Sequence, residues 1–138
     1  MRATPCRETV GILMLAATMT RPDVAYTAHQ LGKFNDSSGP PHWRAAKRAL
    51  QYLWRTNDVG ITYDEKLGPC TNLLAWVDAD FAPCSDTWCT VSSGVVMLRR
   101  GAVSWYSRMQ MVTAAASSES EYMALADVVN ELQLIRQV

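Results

Sequence analysis

Three carboxylates stand where chemistry would need them. In AWVDADFAPC, residues 75–84, an apolar run leads straight into Asp78 and Asp80. Strand interiors usually exclude aspartate, because desolvating a carboxylate is costly. Side chains alternate along a strand, so the two acids project from one face. The third is Glu121, in SSESEYMAL. An Asp on a strand and a Glu on a helix can share a divalent cation, since hard cations take oxygen ligands. The plainer reading is a strand terminator at Asp78 or Asp80 and a helix cap at Glu121, because Ser118 to Glu121 fits the S-x-x-E capping box. Asp127 is no substitute ligand. It lies about 240° around the helix from Glu121 at 100° per residue.

A second group of residues suits a different chemistry. Arg44, Lys47, Arg48 and Arg55 cluster on one side of PPHWRAAKRALQYLWR. Trp43, Ala46, Leu50, Leu53 and Trp54 follow the three-four spacing of an apolar face. A basic stripe opposite an apolar one is either a solvated surface or a contact for a nucleic-acid backbone, whose affinity comes largely from Arg and Lys. The four cysteines, Cys6, Cys70, Cys84 and Cys89, include no C-x2-C pair, and His29 and His42 lie far from them. That pattern gives no zinc site.

The elements that must position these residues are helical first and stranded later. Residues 7–18 read as an apolar helix ending near TRPD. Residues 22–34 read as a second, with Pro22 at its first position, where the missing N–H costs nothing. NDSSGPP is a loop by its turn residues, and Pro41 opens a third helix through Arg55. From Gly60 the periodicity changes. GITY reads as a short strand and LLAWVD (73–78) as a buried one. GVVML (94–98) and AVSWYS (102–107) are joined by RRG, a hairpin with Gly101 able to take positive φ. Residues 117–138 form a long helix with Tyr122, Leu125, Val129 and Leu132 on its apolar face. The fold class is α+β, with a helical segment at 1–59 and a sheet segment at 60–138.

Composition narrows the function. The chain has 138 residues, 49% apolar and 19% charged, with zero net charge, so no bulk field draws it to a polyanion or a membrane. The charge is divided: residues 1–59 carry +4 and residues 60–138 carry −4. VGILMLAATM (10–19) is too short to span a membrane. Pro5 and Glu8 before it, and no A-x-A site after it, argue against a signal peptide. An intracellular protein is expected. A small secreted, disulfide-bearing domain is the alternative that the even cysteine count leaves.

Asp on the first long strand, then a hairpin, then Glu on the next helix is the order used by RNase H-type nucleases. In these, carboxylates hold two divalent ions about 4 Å apart, which clamp the attacking and leaving oxygens of a phosphodiester. Five stretches in register extend the likeness: VGILMLAATMTRPDVAYTAHQLGKF, HWRAAKRALQYLWRTNDVGITY, AWVDADFA, SSGVVMLRRGAVSWYSRMQ and AAASSESEYMAL. Together they resemble the part of a copia-type retrotransposon polyprotein where reverse transcriptase runs into RNase H.

The resemblance implies a helical connection at 1–59 and, at 60–138, a truncated RNase H-like fold: a mostly antiparallel sheet with one packed helix. It implies Asp78 and Glu121 as catalytic and metal-binding carboxylates, with Asp80 a neighbour. It implies Mg²⁺ or Mn²⁺ as cofactor and an RNA–DNA hybrid as substrate. The family's third catalytic Asp follows the helix, beyond Val138, so this chain is expected to bind metal weakly and to cut nothing alone. A non-catalytic nucleic-acid- or protein-binding module is the alternative. An open edge beside strand 73–78 is expected to favour self-association.

Overall fold

The computed structural model describes residues 5–64, 73–81 and 89–137. The chain divides into two compact units between Ile61 and Thr62. Together they make an α+β protein.

The first unit is helical. α1 spans Cys6–Met19, a single 3₁₀ turn spans Pro22–Val24, α2 spans Ala25–Gly32 and α3 spans Pro40–Arg55. Their core is Cys6, Val10, Leu13 and Ala17 of α1, with Val24, Ala28, Leu31, Ala46 and Ala49. Trp43, Leu50 and Leu53 pack against it half-buried. Trp54 departs from the expected apolar face and is 81% exposed. The centre of the buried arc lies at Ala46 and Leu53, and Trp54 stands about 90° away from it. Gly39 N–H donates to His42 Nδ1 at 2.9 Å, which fixes the first turn of α3. The His42 ring stacks on Phe34 at 4.2 Å.

The second unit is a sheet with one helix on it. β1 (Leu74–Asp80), β2 (Val91–Leu98) and β3 (Gly101–Met109) are antiparallel in the order β1-β2-β3, and α4 spans Ser117–Gln137. Three expectations change. GITY is not a strand: it runs irregularly, tied to the hairpin by Asp64 N–H donating to Arg99 O and by Tyr63 Oη donating to Ala102 O. The β2–β3 turn takes its positive φ at Arg99 (50°) and Arg100 (67°), with Leu98 paired to Gly101. Two positive φ values in a two-residue loop match strand twist in a type I′ turn, so the strain falls on the arginines. Gly101 is needed for another reason: a Cβ there would strike the Tyr63 ring.

The third change concerns α4. Its buried residues are Ser120, Ala124 and Val128, whereas Tyr122, Leu125 and Val129 are exposed. Small residues face the sheet because the helix lies close to it, over Gly94 and the Tyr106 ring that fills the space beside that glycine. A buried hydrogen-bonded layer joins them: Gln110 Nε2 donates to Ser92 Oγ at 2.8 Å and to Ser120 O at 2.9 Å.

Candidate functional site

β1 carries the acids. Asp78 lies inside the strand and Asp80 at its last position, with register partners Ser93 and Val91 on β2. Leu74, Trp76, Asp78 and Asp80 are exposed, and Ala75, Val77 and Ala79 are half-buried. The face that α4 covers is identified by its contacts. Ser92, Ser104, Tyr106 and Arg108 all bond to α4 or to the Gln110 bridge: Ser104 Oγ donates to Glu131 at 2.6 Å, and Arg108 pairs with Asp127 at 2.9 Å. Ala79, Val77 and Ala75 share that face through their pairing with Ser92, Gly94 and Val96. By alternation, Asp78 and Asp80 project from the other face.

Glu121 is exposed on α4. Asp127 and Glu131 lean toward β3, where their partners lie. At 100° per residue Glu121 falls on the opposite flank, toward β1. α4 runs antiparallel to β1: Ser120 meets Gln110 and Ser92 at the Ala79 level, and Glu131 meets Ser104 at the Ala75 level. Glu121 therefore stands level with Asp78 and Asp80, beside the edge strand, while the aspartates occupy the far face. The capping role falls to a different acid, since Glu119 Oε2 accepts the Ala115 N–H at 2.6 Å. Asp127 is held by Arg108. Among the described residues no group of three or more His, Cys, Asp or Glu could hold a metal ion.

The basic residues sit on α3. Arg44, Lys47, Arg48 and Arg55 are all exposed, and the helix contains no acid. Arg44, Arg48 and Arg55 fall within about 40° of one another, and Lys47 lies about 60° to one side. The Lys47 ammonium sits 5.6 Å from the Trp43 ring centroid.

Sequence reasoning missed a polar clamp in the helical unit. Arg21, 8% exposed, makes a two-pronged contact with Asp23 at 3.0 and 2.7 Å. It also donates to Thr56 O at 2.8 Å and Thr56 Oγ1 at 2.7 Å, closing the C-terminal end of α3. Tyr52 Oη donates to Asp23 Oδ2 at 2.8 Å. The Arg21 hydrogen bonds, aided by Tyr52, hold the Asp23 carboxyl below the usual carboxylate range; burial opposes this. The TRPD stretch was the available signal. An Arg and an Asp flanking a helix-opening Pro is a pairing that local turn geometry permits. Cys6 is a buried thiol of the helical core, while Cys70 and Cys84 lie outside the described residues. Among the described residues no helix is long and apolar enough to cross a membrane.

Comparison with known proteins gives the class. The chain is 34% identical over 131 residues to Secreted RxLR effector protein 161 of Plasmopara viticola, covering 95% of this chain and 91% of that one. It is 36% identical over 132 residues to the retrovirus-related Pol polyprotein from transposon RE2 of Arabidopsis thaliana, covering 96% of this chain and 9% of the polyprotein. It is 31% identical over 132 residues to the Pol polyprotein from transposon TNT 1-94 of Nicotiana tabacum, covering 96% and 10%. The chain belongs to one family with the Plasmopara protein and with this segment of copia-type retrotransposon Pol polyproteins. It spans nearly all of the former and about a tenth of the latter. No family model matches the chain, and no solved structure matches it.

Proposed function

We propose that this retroelement-derived chain corresponds to the junction of reverse transcriptase and RNase H, that its sheet unit is an RNase H-like piece, and that it binds nucleic acid without cutting it. The observation that carries the RNase H part is the placement of Glu121 level with Asp78 and Asp80 on the β1 flank of α4. Strand, hairpin and helix thus bring an Asp and a Glu to one end of one edge strand. The donor set does not fit two resident ions. Two exposed carboxylates from different faces supply too few oxygens for an ion that takes six and leans on substrate phosphates. A bound Mg²⁺ or Mn²⁺ would supply Lewis-acid polarisation of a phosphodiester, and Asp78 and Glu121 are the residues that would hold it.

The test is paramagnetic line broadening with Mn²⁺. Amides around Asp78 and Glu121 are expected to broaden together, and only at concentrations on the order of millimolar. Broadening at micromolar Mn²⁺ would show a built site and overturn the inactive reading. Broadening at neither position would remove the metal.

The binding part rests on α3, where four cations and no acid share an exposed helix. Contacts of this kind are sequence-independent and salt-dependent. Affinity for an RNA–DNA hybrid is expected to fall steeply with added salt and to weaken on changing Arg44 and Lys47 to Ala. Equal affinity at low and high salt would remove the reading. Action inside the cell belongs to this proposal; the Plasmopara relative's name, which includes secretion, points the other way.

A further inference from the structure

The exposed side of α3 has a feature that backbone neutralisation leaves unused. Trp54 is 81% exposed, next to the C-terminal end of the basic helix. A tryptophan is a costly residue to leave in water, since aromatic side chains each carry a large apolar surface. Its side-chain neighbours one turn back are Leu50 and Gln51, and four cations share the exposed arc with it. At 100° per residue the exposed arc runs Trp54, Lys47, Gln51, Arg44, Arg55, Arg48 over about 120°. The buried arc of Ala49, Leu53, Ala46 and Leu50 lies on the other side. The other aromatics of the helix are occupied: Tyr52 holds Asp23, and Trp43 is half-buried under Lys47. Trp54 is the aromatic on this face that is open to a ligand.

An exposed indole on the same helix arc as four cations fits a ligand with flat rings on an anionic chain. We propose that α3 binds single-stranded nucleic acid, with one base stacked on Trp54 and the flanking phosphates held by Lys47, Arg44, Arg48 and Arg55. The inference rests on the reading that α3 contacts a nucleic-acid backbone, and it adds which nucleic acid and which contact. A duplex presents its bases stacked and covered, so Trp54 gains nothing from it. A single strand exposes π-faces, and stacking on an aromatic side chain is tolerant of base identity. From Arg44 to Arg55 the helix rises about 16 Å, long enough for several phosphates of one strand to follow it.

The experiment compares a fluorescent oligothymidylate 12-mer with an abasic 12-mer of the same backbone, and with a duplex, against the full chain. The oligothymidylate is expected to bind about ten-fold more tightly than the abasic strand. Trp54→Ala is expected to erase that difference, and Trp54→Phe to restore most of it. Because Trp54 is exposed, neither variant is expected to disturb the core, and circular dichroism checks that both fold. Equal binding of oligothymidylate and abasic strand, or an unchanged preference in Trp54→Ala, overturns the stacking contact. If the abasic strand still binds with salt dependence in that case, the backbone reading survives alone. No binding to any of the three overturns both. Preference for the duplex overturns the single-strand assignment.

Discussion

Replacing Asp23 with Ala should destabilise the helical unit by about 2–3 kcal/mol. Two charged contacts to Arg21 and the Tyr52 hydroxyl bond are lost together. Removing one member of a fully buried pair costs about 3–5 kcal/mol. Here the Asp23 side chain is 32% exposed, and Arg21 keeps Thr56 O and Oγ1 as acceptors, so the cost falls below that range. The pH dependence has a definite sign. Asp23 is held below its ordinary value, chiefly by the Arg21 hydrogen bonds, so its contribution is present above the unfolded carboxylate pKa of about 3.9. It is lost as pH falls through the depressed folded value. Hydrogen exchange of the α3 amides as a function of urea measures this locally, without assuming that both units unfold together. The variant should show reduced α3 protection at pH 7 and a smaller change than the parent on acidification. A loss under 0.5 kcal/mol, or a parent whose α3 stability ignores pH below 4, would refute the reasoning.

Other substitutions test the sheet unit. Gly94→Ala places a Cβ within 2.6–2.7 Å of the Tyr106 ring and should cost about 2 kcal/mol in urea unfolding. Arg99→Asn with Arg100→Gly gives the turn residues suited to positive φ and should stabilise by roughly 1–2 kcal/mol. Gln110→Leu strands the buried Ser92 hydroxyl and removes the side-chain bond to the Ser120 carbonyl, and should cost about 2 kcal/mol by the same assay.

Much of the fold was legible because periodicity reports burial. Pro22 opened a helical element, the third helix began at Pro40, one residue before the expected Pro41, as first-turn positions permit, and the runs around LAWV, VVML and AVSWY became the strands. The errors have physical causes. On α4 the large apolar residues suggested the packed face, yet close approach over Gly94 favoured Ser120 and Ala124. At the hairpin, the freedom of Gly101 suggested the positive φ, whereas its role is to admit the Tyr63 ring. GITY has strand composition but joins no ladder among the described residues; single hydrogen bonds to Arg99 and Ala102 hold its end instead. Alternation correctly gave Asp78 and Asp80 a common face. Which face α4 covers was not legible, because that depends on hydrogen bonds from Ser104, Arg108 and Gln110. For the same reason the clamp of Arg21, Asp23, Tyr52 and Thr56 was not legible, since it joins residues up to 35 positions apart.

The central claim is binding without cleavage, and one assay addresses it. A labelled RNA–DNA hybrid is incubated with the purified chain in Mg²⁺ or Mn²⁺, beside Asp78→Asn, and both retention on the protein and strand integrity are followed. Retention that declines with salt is expected, with RNA that stays intact with either protein. Cleavage by the parent and not by Asp78→Asn would contradict it and establish a working carboxylate site.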